Sequence, residues 1–230
     1  MQGLTPMEWE AIGLSLKVSG LAVAVSLPAG IAAAWILSRC RFPGKGLLDG
    51  IIHLPLVLPP VVTGYLLLVC LGKNGIVGHF LFQYLGITLA FTWKGAAVAA
   101  AVMAFPLLVR AVRLSADAVD PGMEQAARTL GAGRVRVFFT VTLPLMVPGI
   151  ITGVILAFAR SLGEFGATIT FVSNIQGETQ TLPLALYSLT QVPNGEAGAL
   201  RLCIISVVLA MTALVFSEWL AKRFAAFMKG

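Results

Sequence analysis

Glu124-Gln125-Ala126-Ala127-Arg128-Thr129-Leu130-Gly131, followed by Val141-Thr142-Leu143-Pro144, is a polar, arginine-bearing island in an otherwise apolar chain. Long apolar segments stand on both sides of it. Hydrophobic residues make up 58% of the chain and charged residues 11%, against about 25% charged in an ordinary soluble domain. The mean hydropathy is +0.91. A soluble core of 230 residues cannot bury that much apolar surface, so lipid must be the solvent for much of it. A short amphipathic helix between membrane segments implies contact with something in the water.

Composition excludes several classes. The net charge of +6 could suggest nucleic acid, but the basic residues are split among segment ends, as membrane topology requires. Cys40, Cys70 and Cys203 are scattered and lack CxxC spacing, and His53 and His79 stand alone. No disulfide, metal site or nucleic-acid partner is expected. Glu8 and Glu10, with no Lys or Arg before them, have the wrong sign for a cleaved signal. The first apolar run reads as a permanent membrane helix.

A crossing helix needs about 20 apolar residues, because each rises about 1.5 Å through a core about 30 Å thick. Five segments qualify, at 11–38, 51–71, 88–109, 144–172 and 197–221. Continuous runs without period-two alternation choose helices over a barrel. The expected fold is an all-α, multi-pass membrane domain over 11–221. Arg39, Arg41 and Lys45 follow the first span; Arg110, Arg113, Arg128, Arg134 and Arg136 lie between the third and fourth; Lys222, Arg223 and Lys229 follow the fifth. The positive-inside rule then puts the N-terminus outside and the island in the cytoplasm. Lys17, Lys94, Arg201 and Glu218 near segment ends read as snorkelling side chains. Trp9, Trp35, Trp93 and Trp219 read as interfacial aromatics.

Small residues recur every fourth position at Ala22, Ser26, Gly30 and Ala34, and at Gly149, Gly153, Ala157 and Ser161. Such stripes let helix backbones approach closely in lipid. Leu54-Pro55-Leu56-Val57-Leu58-Pro59-Pro60 should be the most irregular part of the second span, since proline lacks a donor N–H.

Local chemistry predicts a short helix over 121–133. Asp120 suits the N-cap and Pro121 the first helical position. Glu124 falls in the first turn, where the helix dipole favours a negative charge. Ala126, Ala127 and Leu130 give an apolar side, and Gly131 and Gly133 a stop. At about ten residues the helix is too short to span.

Gln125-Ala126-Ala127, Gly131 and Val141-Thr142-Leu143-Pro144 match in spacing the Glu-Ala-Ala…Gly…Ile-x-Leu-Pro pattern of membrane subunits of binding-protein-dependent ABC importers. Gln125 stands for the family's Glu, with Glu124 just before it, and Val141 for Ile. The resemblance covers nearly the whole chain. It implies a cytoplasmic coupling helix in which Glu124, Gln125, Ala126, Ala127, Arg128, Leu130 and Gly131 meet an ATPase. It also implies a homodimer, two cytoplasmic ABC ATPase subunits and an extracytoplasmic oxyanion-binding protein, in a bacterial inner membrane. Arg41-Phe42-Pro43-Gly44-Lys45, the Leu54–Val62 run and Arg160-Ser161-Leu162-Gly163-Glu164-Phe165-Gly166-Ala167 resemble oxyanion importers. The stretch from Ser173 to Ser188 is more similar to molybdate permeases than to sulfate or thiosulfate permeases.

The chain has no phosphate-cradling Gly-x4-Gly-Lys-Ser/Thr loop; Gly44-Lys45-Gly46 is the nearest fragment. No cofactor is expected on it, and the resemblance places ATP and Mg on the partner ATPase. Arg160 and Glu164 interrupt the fourth span, and Ser161 and Thr168 stand near them. Two readings stay open: a polar stripe lining the translocation path, or a buried ion pair locking helices. A path that releases its anion should not bind it tightly, so selectivity is expected in the binding protein. The stretch 181–191 reads as a short re-entrant or surface helix at the outer mouth, or as a loop. A gradient-driven transporter is the rival class; it would have no use for the island. An intramembrane protease would need a dyad for which Ser161 and His53 are the only loose candidates.

Overall fold

The structure is a computed structural model that describes residues 4–227. Lys229 lies outside them, as do the side chains of Glu218 and Lys222. The described residues are helical, with no strand among them. Four helical stretches are long and apolar enough to cross a membrane, and a bent pair makes a fifth if counted as one span.

Helix α1 runs from Pro6 to Arg39. Its start is fixed by a capping box: Glu8 N–H donates to Thr5 Oγ1 at 3.3 Å, and Thr5 N–H donates to Glu8 Oε2 at 2.7 Å. Ala22, Ser26, Gly30 and Ala34 are all buried. At Gly30 a Cβ would lie 2.7 Å from Leu108 Cδ2 of α5. Helix α5, Trp93–Ala118, is the centre of the fold and buries Ala96, Ala100, Met103, Leu108, Val112 and Ala116. Helix α8, Leu143–Leu162, sets Gly153 against the Leu108 carbonyl and Gly149 against Ser115. Both small-residue stripes therefore seat on one helix. In lipid the gain is close van der Waals packing rather than water exclusion.

The expected span 51–71 is not one helix. It is α2, Lys45–Val57, and α3, Pro60–Leu71, bent by 115°. Each is too short to cross alone. Pro55, Pro59 and Pro60 remove three successive chances to continue the hydrogen-bond ladder. A further short helix, α4 (Ile76–Leu85), falls where no element was expected. The third span starts later and ends later than 88–109. Thr92 caps α5 by accepting from Gly95 N–H at 3.3 Å, and the helix continues to Ala118, carrying Arg110, Arg113 and Asp117.

The fourth span also differs from 144–172. The helical rod begins at Arg134, as α7 (Arg134–Val137) and a π-helical turn (Phe138–Thr142) leading into α8. It stops at Leu162. A separate helix α9, Gly166–Val172, follows a break at 163–165. The last helix, α11, extends from Glu196 to Phe227. The stretch 181–191 contains a helix, α10 (Leu182–Thr190), whose Leu182 and Ala185 pack with Ala11, Ile12 and Leu202. Its first N–H, at Leu182, donates to Ser15 Oγ of α1 at 2.7 Å.

Candidate functional site

The island folds as α6, Pro121–Thr129. Asp120 accepts from Gly122 N–H at 2.8 Å, satisfying one free donor of the first turn. The helix stops before 133, with Gly131 at φ +84°. Gly131 N–H reaches the Arg128 carbonyl, and Ala132 N–H the Ala127 carbonyl. This pair of bonds is a Schellman stop, which needs the left-handed conformation that glycine adopts freely.

The apolar side of α6 points away from the protein. Met123 is 53% and Leu130 89% exposed, with Ala126 exposed between them. Gln125 and Arg128 are exposed too, and Ala127 is half-buried. Glu124 turns the other way and is buried. Its Oε1 accepts from Thr142 Oγ1 at 2.8 Å and lies 3.2 Å from Arg39 Nη2 at the end of α1. Arg39 Nη2 also donates to the Val119 carbonyl at 2.9 Å, just ahead of α6. Of the residues read together as a coupling set, Glu124 faces inward and the rest face outward or flank the ridge.

The residues Arg160, Ser161, Glu164 and Thr168 gather at the break between α8 and α9. Arg160 and Glu164 do not share a helix face, because α8 ends at Leu162. They pair nonetheless, Arg160 Nη1 to Glu164 Oε2 at 2.7 Å. Glu164 Oε1 accepts from Ala167 N–H at 2.8 Å, so the carboxylate also caps α9. Such bonds are what a carboxylate in an apolar setting requires. The Glu164 side chain is 2% exposed and that of Arg160 28%. Ser161 and Thr168 are buried, and Ser161 Oγ has no protein partner. The two chain breaks meet here. A Cβ at Gly166 would lie 2.7 Å from Pro60 Cβ, and one at Gly64 would lie 2.9 Å from Ala167 Cα. Irregular backbone at membrane depth is tolerated where it is covered by protein or lines a cavity.

Three charged clusters escaped the sequence reading. Arg201 does not snorkel freely: it pairs with the buried Glu8 at 3.0 Å. Lys17 stacks on Trp93, 3.6 Å from the ring centre. Arg113 bonds both oxygens of Asp49, at 3.0 and 3.1 Å, and His53 and Asp117 join the same cluster. Ser38 of α1 hydrogen-bonds Asp117. Glu8 and Arg201, Asp49 and Arg113, and Lys17 and Trp93 are far apart in sequence, so only the fold brings them together.

The chain is a helical membrane domain with two broken helices and a short interhelical helix whose apolar side faces outward. Residues 26–226 match the family of binding-protein-dependent transport system inner membrane components, and the chain belongs to that family. It is therefore a multi-pass inner-membrane protein. It is 68% identical over 219 residues to the molybdenum transport system permease protein ModB of Escherichia coli (strain K12), covering 95% of this chain and 96% of the relative. The Haemophilus influenzae ModB is 58% identical over 217 residues, covering 94% and 95%. The sulfate transport system permease protein CysT of Salmonella typhimurium is 42% identical over 186 residues, covering 81% and 66%. Among solved structures, a bacterial ABC transporter for alginate import aligns with a TM-score of 0.75 at 19% identity, covering 96% of this chain and 80% of the other. The MetNI methionine ABC transporter aligns with a TM-score of 0.71 at 15% identity, covering 96% and 99%. These two likenesses bear on the fold alone.

Proposed function

We propose that this chain is the permease subunit of an ATP-driven molybdate importer. Two copies form the path around a two-fold axis, each bringing one coupling helix to one ATPase. Two cytoplasmic ABC ATPase subunits grip the α6 helices and hydrolyse ATP with Mg. An extracytoplasmic oxyanion-binding protein supplies the anion. The basic residues around α6 and the end of α1 orient this end to the cytoplasm. The observation that carries the reading is the exposed ridge of Met123, Ala126 and Leu130 on a short helix anchored from behind. An apolar helix face of this kind fits a groove on a partner. Molybdate is chosen by the likeness to the two ModB proteins.

At the chain breaks, the partly exposed Arg160 is assigned to the path in this reading, with the buried Glu164 holding it in place. A guanidinium held by a carboxylate attracts a dianion only weakly, which suits release.

The test is labelled molybdate uptake into proteoliposomes holding this chain with an ABC ATPase and an oxyanion-binding protein from the same organism. The reading expects uptake that needs ATP and the binding protein and that excess sulfate leaves intact. Equal competition by sulfate would reassign the substrate. Uptake by the chain alone, without ATP, would sink the importer reading.

A further inference from the structure

We propose that Arg39 is a positioning residue through which movement of α6 reaches α1. The inference rests on the reading of α6 as the ATPase handle. A guanidinium that only signalled membrane orientation would point into water. Arg39 instead has a side chain only 19% exposed, turned onto α6. Its Nη2 bridges the Val119 carbonyl, in the turn between α5 and α6, and the Glu124 carboxylate within α6. The same carboxylate oxygen accepts from Thr142, the last residue of the π-helical turn below α8. Among the described residues, the polar side-chain bonds from α6 to the other helices both run through Glu124.

One turn back along α1, Trp35 packs edge-on against Phe138, the first residue of the π-helical turn, with ring centres 5.6 Å apart. The end of α1 therefore touches the lever at Glu124 and the root of α8 at Phe138. Arg39 Nε is buried without a partner. A small pocket of about 50 Å³ has Arg39, Glu124, Arg128, Arg134 and Thr142 in its lining, together with the apolar Trp35, Val137 and Phe138. Charge-assisted bonds of this kind are the strong ones, and they hold geometry as well as energy.

The experiment measures molybdate imported per ATP hydrolysed by the reconstituted complex. The wild type is compared with Arg39→Gln, Glu124→Gln, the double variant and Arg39→Lys. Each Gln variant is expected to lower the ratio about tenfold, as loss of a charge-assisted bond would. The double variant should be no worse than the worse single one, because the two residues act through each other. Arg39→Lys should recover part of the ratio. An unchanged ratio in Arg39→Gln, losses that multiply in the double variant, or a fall in recovered complex with an unchanged ratio in what remains would each overturn the role. A wild-type complex that hydrolyses ATP without import overturns the functional reading itself. A coupled wild type with a coupled Arg39→Gln overturns the Arg39 role alone.

Discussion

Arg160 and Glu164 are joined at 2.7 Å across the point where α8 stops, so the pair closes a break instead of lining one helix. The carboxylate is sealed and caps α9, while an edge of the guanidinium stays open. On the proposed reading, the two members of the pair therefore have different jobs. Glu164→Gln should lower stability by about 1.5–3 kcal/mol, the range for a hydrogen bond to a charged group. Arg160→Gln should depress uptake more than stability. Detergent unfolding curves beside uptake assays check both; the reverse ranking would give Glu164 the path role.

Gly131 ends α6 with a left-handed residue in open space, where a Cβ would meet nothing within 4 Å. The cost of replacing it is one of backbone conformation, about 1–2 kcal/mol for most residues and less for Asn. Gly131→Trp should uncouple ATP hydrolysis from import while membrane insertion stays intact. Gly131→Asn should keep most of the coupling. Normal transport by the Trp variant would remove Gly131 from the lever.

Gly64 is where α3 meets α9 backbone to backbone, with the Ala167 carbonyl in the place of a side chain. Gly64→Leu should cost about 1–3 kcal/mol through overpacking and reduce the amount of folded protein in the membrane. Gly50→Ala in α2, where nothing lies within 4 Å, should leave stability unchanged or raise it by up to about 1 kcal/mol. Equal recovery of the two variants would contradict the close α3–α9 contact.

Glu8 is buried, whereas its partner Arg201 is one third exposed. Removing the arginine strands a carboxylate; neutralising the carboxylate leaves a guanidinium that water can reach. Arg201→Ala should destabilise the protein more than Glu8→Gln does. The double variant should be milder than Arg201→Ala alone. Additive losses in thermal unfolding would contradict the pairing.

What the sequence disclosed follows the range of the forces involved. Asp120, Pro121 and Gly131 bracket α6 because capping and left-handed stops are decided within a few residues. The four-residue stripes of α1 and α8 were legible as packing faces, since helical periodicity alone puts them on one side. The break after Leu162 was not legible. Arg160 and Glu164 have the spacing of neighbours on one helix, and what ends α8 there involves Glu164 capping α9 and Gly166 seated on Pro60, over 100 residues away. Arg39 read as a topology signal and Arg201 as a snorkelling cation because their partners, Glu124 and Glu8, are brought near only by the tertiary fold. The apolar residues of α6 were visible, but which way they face depends on Glu124 being drawn inward.

The most direct measurement is side-specific labelling of a Leu130→Cys variant in a chain whose Cys40, Cys70 and Cys203 have been replaced. A membrane-impermeant maleimide should label it in inside-out vesicles stripped of the ATPase, and rebinding the ATPase should block the label. Labelling from the outer face of intact cells, or full labelling with the ATPase bound, would contradict the account of α6 as the cytoplasmic lever.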